Sequence, residues 1–194
     1  MEDKRTIIVI EGASGAGKDT TIKELIKRNP KFAKMPSVAT RKMREGESQG
    51  NPYFFCSKEE FEEKIKTGAV FEYTQLGRDG EYRGMSSDII DDMLKQGKIP
   101  LKDCDNIGVT ALKEKYGKKS VLTIFMDIPK EEIAKRLCGR GGCPQDIQSR
   151  LDEYESYVKL NKPYYDHIVD KLDLQECVEE IENIICKNTQ KCLN

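Results

Sequence analysis

The sequence predicts a single α/β domain with a central parallel sheet and helices on both of its faces, and three observations support this prediction. A continuous apolar run at residues 7–10 has the character of a strand buried on both faces, and residues 121–126 are a further predicted strand. Such runs alternate with helix-like segments, which favours parallel strands joined by helices in a three-layer α/β/α fold. The length of 194 residues suits one domain of ordinary size. In folds of this class, ligands bind beyond the carboxyl ends of the strands.

The predicted elements follow from periodicity and from local start and stop signals. Ser57, with Glu60 three residues later, is typical of a helix-starting capping box, and Gly97 is typical of a helix end. Pro100 is unusual in a central strand because it has no N–H donor. In chain order we expect a strand at 7–10, a turn at 12–17, a helix at 20–28, irregular chain or short strands at 30–55, a helix at 57–67, a strand at 70–73, a helix at 86–96, a strand at 98–103, a helix at 106–116, a strand at 121–126, helices at 130–138 and 145–160, a short strand at 168–169 and a closing helix at 174–187.

The composition indicates a well-solvated cytoplasmic protein. The formal net charge of −1 gives no electrostatic basis for binding nucleic acid or an anionic membrane, and no apolar run approaches the length of a membrane span. The seven cysteines are odd in number and follow no secretory signal, so we expect reduced thiols. Cys138 and Cys143 lie close in sequence, but with His167 as the single histidine they do not make a zinc ligand set.

A glycine-rich loop after the first predicted strand matches the pattern G-x-x-x-x-G-K, from Gly12 through Gly17 to Lys18. The glycines allow several backbone N–H groups to point at one position, and the following helix N-terminus adds partial positive charge. Lys18 can reach the terminal phosphates. The loop therefore predicts binding of a nucleoside triphosphate, which we take to be ATP. The residues expected to bind it are Gly12, Ala13, Ser14, Gly15, Ala16, Gly17, Lys18, Asp19 and Thr20.

Asp19 stands where such loops normally carry Ser or Thr as a magnesium ligand. A triphosphate repels a carboxylate unless a cation lies between them, so Asp19 is a candidate ligand of Mg²⁺, directly or through water. In the alternative interpretation, Asp19 only complements the helix dipole, and Thr20 serves the metal.

The segment over residues 37–55 resembles the guanylate kinase family, whose pattern is S-x-x-T-R-x-x-R-x-G-E-x-x-G-x-D-Y-x-F. The chain departs from this pattern at Pro52, which replaces the Asp before Tyr53. The resemblance covers most of the chain, with further matches at residues 68–72, 82–86, 101–108, 136–140 and 150. It implies a P-loop enzyme that phosphorylates a nucleoside monophosphate, GMP or dGMP, at the expense of ATP and with Mg²⁺.

The resemblance also implies an acceptor site for the monophosphate. Arg41, Arg44 and Tyr53 correspond to the residues that bind its phosphate, and paired guanidinium groups suit a dianionic phosphate. Tyr82 and Arg83 are expected in the same acceptor site. Arg83 stands where the family has a phosphate-binding tyrosine, and an arginine can also bind phosphate.

The base of the acceptor is expected to be recognised by a second group of residues. Guanine presents two adjacent N–H donors, which a carboxylate can accept. By resemblance Glu72 is this carboxylate, Asp103 assists it, and Ser37 contacts the base. Met85 replaces a hydroxyl that the family uses on the base. One lost hydrogen bond is worth about 0.5–1.5 kcal/mol, so we expect the preference for guanine to relax by about tenfold.

Three arginines complete the catalytic set that the resemblance implies together with Lys18. Arg136, Arg140 and Arg150 are expected to close over the triphosphate and stabilise charge on the transferring phosphoryl group. Asp105 is expected near the metal and the phosphates, as a second candidate ligand of Mg²⁺ beside Asp19.

The domain is expected to consist of a core at residues 1–35 and 98–194, an acceptor-binding flap at about 36–97 and a lid at about 138–146. Closure of the flap and the lid would exclude water from the reaction. The substrates are expected to be small nucleotides. The sequence leaves both a monomer and a homodimer open.

Two alternative functions stay open at this point. Asp after the loop lysine also occurs in ribose 1,5-bisphosphate kinases and in some viral deoxynucleotide kinases, which this loop resembles. Glu72, Asp103 and Ser37 together favour an acceptor with a base over a bare sugar phosphate. The other alternative is a non-catalytic guanylate-kinase-like interaction module. Such modules commonly lose the loop lysine, whereas this chain keeps Lys18.

Overall fold

The structure is a computed structural model that describes residues 7–76, 80–141 and 143–189 of the chain. The strands within these ranges are β1 (Ile7–Gly12), β2 (Phe32–Lys34), β3 (Ser37–Ala39), β4 (Ser48–Gln49), β5 (Pro52–Phe55), β6 (Val70–Leu76), β7 (Glu81–Ser86), β8 (Ile99–Lys102), β9 (Val121–Met126) and β10 (His167–Val169). The helices are α1 (Lys18–Arg28), α2 (Lys58–Lys66), α3 (Ser87–Lys95), α4 (Asn106–Tyr116), α5 (Lys130–Gly139), α6 (Pro144–Asn161) and α7 (Leu174–Thr189). None of these described helices has the length and apolar character that a membrane crossing requires.

The chain divides into two compact units. The first unit comprises Met1–Ala33 and Leu101–Asn194, and the second comprises Lys34–Pro100. The described strands form two sheets, with the orders β10-β9-β1-β8-β2 and β4-β5-β3-β7-β6.

The first sheet confirms the predicted α/β fold with a central parallel sheet. β1 pairs in parallel with β8 and with β9, and β9 pairs in parallel with β10. Every residue of β1 and of β9 is buried, as expected for strands that are covered on both faces.

Helices cover both faces of this sheet. Thr123 and Met126 lie on opposite faces of β9, because side chains alternate along a strand. Lys113 of α4 donates a hydrogen bond to Oγ1 of Thr123 at 3.4 Å, so α4 covers that face. Met126 lines a cleft together with Leu174 and Cys177 of α7, so α7 covers the other face, where α1 packs against it.

The second sheet differs from the prediction. β3 pairs in parallel with β5 and antiparallel with β7, and β7 pairs antiparallel with β6. The sequence predicted short strands or irregular chain over residues 30–55 and no strand at β7. The β7 sequence Glu-Tyr-Arg-Gly-Met-Ser has no apolar run, and only its last three residues are buried.

Helix α2 packs on the second sheet and confirms the predicted capping box. Ser57 Oγ accepts a hydrogen bond from the backbone N–H of Glu60 at 3.1 Å, and Oε2 of Glu60 accepts one from the backbone N–H of Ser57 at 2.8 Å. The helix buries Phe61 completely against Val38 and Val70. This apolar cluster is the core of the second unit.

Most predicted boundaries agree with the structure to within a few residues, and α4 and β9 have the predicted bounds. Helix α1 begins earlier than predicted, because Gly17 caps it in the left-handed conformation and Lys18 is already helical. Pro100 lies in β8, between β1 and β2. The pairing with β1 covers Leu101 and Lys102, which follow the proline, so these pairs do not require its missing N–H.

Candidate functional site

The loop between β1 and α1 has the geometry that its glycines predict. Gly15 and Gly17 have φ angles of 95° and 105°, a backbone conformation that other residues rarely adopt. A Cβ atom at Gly12 would lie 2.6 Å from the carbonyl oxygen of Met126, so the close approach of the loop to β9 requires glycine. The loop therefore places the N-terminus of α1 at the carboxyl edge of the first sheet, where the partial positive charge of the helix favours the binding of phosphate.

Lys18 extends its ammonium group to the end of β1. Its Nζ atom donates to the carbonyl oxygen of Gly12 at 2.5 Å and lies 3.4 Å from the carbonyl oxygen of Ala13. The same atom is 3.2 Å from Oε1 of Glu11, with which it forms an ion pair. These partners hold the ammonium group at the first residues of the loop.

Glu11 was not among the predicted site residues. It is only 5% exposed, and its Oε1 accepts a hydrogen bond from the hydroxyl of Tyr157 in α6 at 2.7 Å. Burial, and then the charge of Glu11, raise the pKa of Tyr157 well above its ordinary value, so its hydroxyl keeps its proton and donates. The sequence signal that could have identified Glu11 is its position directly after the apolar run at residues 7–10. A carboxylate buried there requires a cation or a hydrogen-bond donor as its partner.

Arg136 connects three segments around the loop. Its Nε donates to Glu132 in the same helix at 2.9 Å. One terminal nitrogen donates to the carbonyl oxygen of Ala16 and the other to that of Leu172, both at 2.8 Å. Arg136 therefore fixes the loop relative to α5 and to the segment that precedes α7.

A cleft of about 170 Å³ opens beside the loop within the first unit. It includes residues 171–174, which precede α7 and begin it. Apolar, cationic and hydroxyl groups all border it. The lining residues are Ala16, Gly17, Thr20, Thr21, Met126, Arg136, Arg140, Lys171, Leu172, Asp173, Leu174 and Cys177.

The other two predicted catalytic arginines also border the loop or its cleft. Arg140 follows α5, is exposed, and lines the cleft. Arg150 of α6 donates to Oγ of Ser14 at 2.5 Å. The expected lid at about 138–146 spans the end of α5 and the start of α6, and Gly142 within it lies outside the described residues.

Two oxygen-bearing residues follow Lys18 in the first turn of α1. Asp19 and Thr20 are both exposed, and Thr20 borders the cleft. The described residues contain no group of three or more His, Cys, Asp or Glu side chains that could hold a metal ion. Proteins commonly bind Mg²⁺ through one or two carboxylates together with substrate phosphates and water, so Asp19 suits a magnesium ion that the nucleotide shares.

Asp103 and Asp105 follow β8 in the first unit. Asp103 is partly exposed. Oδ1 of Asp105 accepts hydrogen bonds from the backbone N–H groups of Ile107 and Gly108, each at 3.1 Å. Asp105 therefore caps α4, a role that the sequence analysis had not assigned to it.

In the second unit, three of the predicted acceptor residues share one face of the sheet with Met85. Glu72 lies opposite Met85 in the pairing of β6 with β7, and Ser37 lies opposite Tyr53 in the pairing of β3 with β5. β3 and β7 are antiparallel with Val38 opposite Gly84, and continuing this register by one residue places Ser37 opposite Met85. Directly opposed residues project from the same face. The four side chains therefore form a row across four strands, which we call the acceptor row.

Arg41 lies over one end of the acceptor row. Its guanidinium carbon is 5.0 Å from the ring centre of Tyr53 and 5.2 Å from that of Phe55. Glu47 holds it with two hydrogen bonds, at 2.7 and 2.5 Å, and also accepts the backbone N–H of Arg44 at 2.8 Å. The hydrogen bonds from Arg41, and after them the backbone hydrogen bond from Arg44, lower the pKa of Glu47 to about 2. Glu47 thus orients the guanidinium group of Arg41 beside Tyr53 and holds the backbone of Arg44 next to it.

Arg83 and Tyr82 lie on opposite faces of β7. Arg83 is opposite Ala39 and Thr74, is exposed, and lies on the face of the acceptor row. Tyr82 was expected in the acceptor site, but it packs on the other face. Its ring stacks on Phe61 at 5.0 Å between centres, and strand alternation directs it into the core.

Comparisons with known proteins place the chain in one family. The guanylate kinase family model matches residues 4–188. A guanylate kinase of Clostridium tetani is 36% identical over 192 residues, which cover 98% of this chain and 88% of that protein. A guanylate kinase of Clostridioides difficile is 35% identical over 97% of this chain and 90% of that protein. The crystal structure of guanylate kinase from Anaplasma phagocytophilum has the same fold, with a TM-score of 0.68 at 22% identity over 100% of this chain and 91% of that one. The chain belongs to the guanylate kinase family.

Proposed function

We propose that the chain transfers the terminal phosphoryl group of ATP to GMP or dGMP and releases ADP and the corresponding diphosphate. Membership of the guanylate kinase family supports this reaction class. The observation that carries the choice of acceptor is the acceptor row, which has the carboxylate of Glu72 on one strand and Tyr53, with Arg41 above it, on another.

The acceptor row offers different chemistry to the two ends of a guanine nucleotide. The carboxylate of Glu72 can accept the two adjacent N–H donors of guanine, and Ser37 can add a hydroxyl contact to the base. Arg41 and Arg44 can bind the phosphate through charge-assisted hydrogen bonds, and Arg83 adds a cation on the same face. A guanidinium group has enough N–H donors for Arg41 to serve Glu47 and a phosphate together.

The phosphate loop and the adjacent cleft support ATP as the donor. Backbone N–H groups of the loop and the N-terminus of α1 suit the phosphates. The cleft is lined by apolar residues, among them Met126 and Leu174, and by the cations Arg136 and Lys171, a combination that suits the base and sugar of a nucleotide.

Magnesium belongs to this proposal as an ion that ATP and the protein share. Asp19 would hold it, directly or through water, and Thr20 is the neighbouring hydroxyl. When bound, Mg²⁺ neutralises part of the phosphate charge. Asp105 contributes to the proposal through its cap on α4, because that cap orders the chain after β8.

The residues of the chain contribute positioning and positive charge. Phosphoryl transfer requires little covalent chemistry from a protein, and charge develops on the oxygens of the transferred group. Lys18, Arg140 and Arg150 border the loop or its cleft, and their positive charges can neutralise that charge. Arg136 holds the loop through Ala16 while bordering the same cleft.

A reducing cytoplasmic location is part of the proposal. The six cysteines that the structure describes are all free thiols. Reduced thiols are typical of proteins in the cytoplasm.

A coupled assay of ADP formation over a panel of acceptors tests the proposal. The panel contains GMP, dGMP, AMP, CMP, dTMP and ribose 1,5-bisphosphate, each with ATP and Mg²⁺. We expect GMP or dGMP to give the highest kcat/KM. Turnover of another acceptor without turnover of GMP or dGMP would contradict the proposal, and so would the absence of any turnover together with undetectable ATP binding by calorimetry.

A further inference from the structure

We propose that Glu11 is a positioning residue for Lys18, and that Tyr157 acts on Lys18 through Glu11. The inference rests on the proposed function, since it concerns the lysine that meets the phosphates of ATP. It assigns a role to two residues that lie outside the glycine-rich loop and outside the acceptor row. Both residues lie in the first unit, near the end of β1 and in the C-terminal third of α6.

The contacts of the Lys18 ammonium group point to a fixed position. Two backbone carbonyl groups, those of Gly12 and Ala13, lie 2.5 and 3.4 Å from Nζ. Oε1 of Glu11 supplies a negative charge 3.2 Å away. A lysine side chain has a flexible four-carbon stem and a compact charge, so an ion pair at its tip limits where the ammonium group can lie.

The burial of Glu11 makes this ion pair specific. The carboxylate is only 5% exposed, and a buried charge is stable only with partners of opposite charge or with hydrogen-bond donors. The structure supplies one of each, Lys18 and the hydroxyl of Tyr157. Both contact the same oxygen, Oε1, so that atom is held between the helix α6 and the lysine.

Tyr157 is suited to hold the carboxylate. Its hydroxyl donates at 2.7 Å, and the raised pKa that results from burial and from Glu11 keeps the donor protonated at neutral pH. Arg150 lies seven residues earlier in α6, about two helical turns away on the same side, and donates to Ser14. Helix α6 therefore contacts the loop at Ser14, through Arg150, and the end of β1 at Glu11, through Tyr157. Glu11 in turn forms the ion pair with Lys18.

Variants of Glu11 and Tyr157 test the proposal, with Tyr154 as a matched control. Tyr154 lies one turn earlier in α6, and its hydroxyl donates to the carbonyl oxygen of Ile128 at 2.9 Å, away from Glu11. We would compare Glu11→Gln, Tyr157→Phe, Tyr154→Phe and the double variant Glu11→Gln with Tyr157→Phe. The measurements are kcat and KM for ATP, ATP affinity by calorimetry, and thermal unfolding.

Glu11→Gln should lower kcat by at least about tenfold with a smaller change in KM, because displacement of a catalytic group by about 1 Å can cost on the order of 100-fold. Tyr157→Phe should lower kcat by about three- to tenfold, as the loss of one hydrogen bond implies. In the double variant the tyrosine substitution should add less than about twofold, since its effect passes through Glu11. Tyr154→Phe should change thermal stability without changing kcat.

An unchanged or raised kcat in folded Glu11→Gln would overturn the proposal. Full additivity in the double variant would overturn the part that concerns Tyr157, and an equal loss of kcat in Tyr154→Phe would reduce both effects to general stability of α6. These outcomes are distinct from failure of the proposed function. That failure would appear in the wild-type protein as a lack of guanine nucleotide turnover, whereas ATP affinity reports on Lys18 whatever the acceptor.

Discussion

Glu72 and Met85 lie directly opposite each other on β6 and β7, and their side chains share the face of the acceptor row. Met85 is only 2% exposed. An apolar thioether is therefore fixed beside the carboxylate that we propose to bind the N–H edge of guanine. The position can offer no hydroxyl donor to the oxygen on the same edge of the base.

Met85→Ser should therefore improve the use of GMP. A hydroxyl beside Glu72 can donate to the guanine oxygen, and one such hydrogen bond, worth about 0.5–1.5 kcal/mol, corresponds to a rise in kcat/KM of up to about tenfold. The same change should lower the free energy of unfolding by about 2–5 kcal/mol, because it removes a buried side chain. Met85→Leu, which keeps the volume and adds no donor, is the control. Equal kcat/KM values for the Ser and Leu variants would refute the role given to the hydroxyl.

The carboxyl group of Glu47 should titrate near pH 2 in the folded protein, because its hydrogen bonds from the guanidinium group of Arg41 favour the charged carboxylate. The folded-state pKa lies below the ordinary value of 4.5. The Glu47 carboxylate therefore stabilises the fold above about pH 4.5, and this contribution is lost as the pH falls toward 2. NMR titration of Glu47 measures the pKa directly.

Arg41→Ala should return the pKa of Glu47 most of the way to its ordinary range. Arg44→Ala is the matched control, since Arg44 reaches Glu47 mainly through its backbone N–H, which alanine retains. If both variants shift the pKa equally, the hydrogen bonds between Arg41 and Glu47 do not dominate.

Gly84→Ala should destabilise the second unit. A Cβ atom at this position would lie 2.4 Å from the carbonyl oxygen of Glu72 and 2.8 Å from Cβ of Tyr73, so β6 and β7 would have to separate. Overpacking of this kind costs about 1–3 kcal/mol or more. At Gly139 an added Cβ atom would meet nothing within 4 Å, so Gly139→Ala should change stability by less than about 1 kcal/mol. Denaturant unfolding of both variants makes the comparison, and comparable losses would count against the strand geometry.

Arg140→Ala and Arg136→Ala should separate two functions of the arginines beside the loop. Arg140 is exposed at the cleft, so we expect its removal to lower kcat much more than ATP affinity. Arg136 holds the backbone at Ala16 and Leu172, so its removal should weaken ATP binding and lower the melting temperature as well. Kinetics, calorimetry and thermal unfolding distinguish the two. An equal loss of kcat and ATP affinity in Arg140→Ala would contradict its role in the transition state.

The sequence predicted those parts of the fold that local rules determine. The mainly apolar strand β9, the capping box at Ser57 and the helix at Asn106–Tyr116 each carry their own signal, and the structure has all of them. The glycine-rich loop also follows from local requirements, since Gly15 and Gly17 adopt backbone angles that few other residues tolerate.

The strand β7, the pairing of the second sheet and the network of Glu11 were missed because they depend on contacts between distant segments. The strand β7 is defined by its partners β3 and β6 rather than by an apolar run. Tyr82 and Arg83 are neighbours in sequence, and their side chains project from opposite faces of the sheet because both residues belong to β7. The partner of Glu11 in α6, Tyr157, lies 146 residues away, beyond the range of any local pattern.

The most direct test of the proposed function is the ratio of kcat/KM for GMP to that for IMP in the wild-type protein and in Glu72→Gln. IMP lacks one of the two N–H donors that the carboxylate is proposed to accept. Hydrogen bonds to a charged group are worth about 1.5–3 kcal/mol, so the wild type should prefer GMP by at least about tenfold, and Glu72→Gln should lose most of that preference. A preference that Glu72→Gln leaves intact would contradict guanine recognition by the acceptor row.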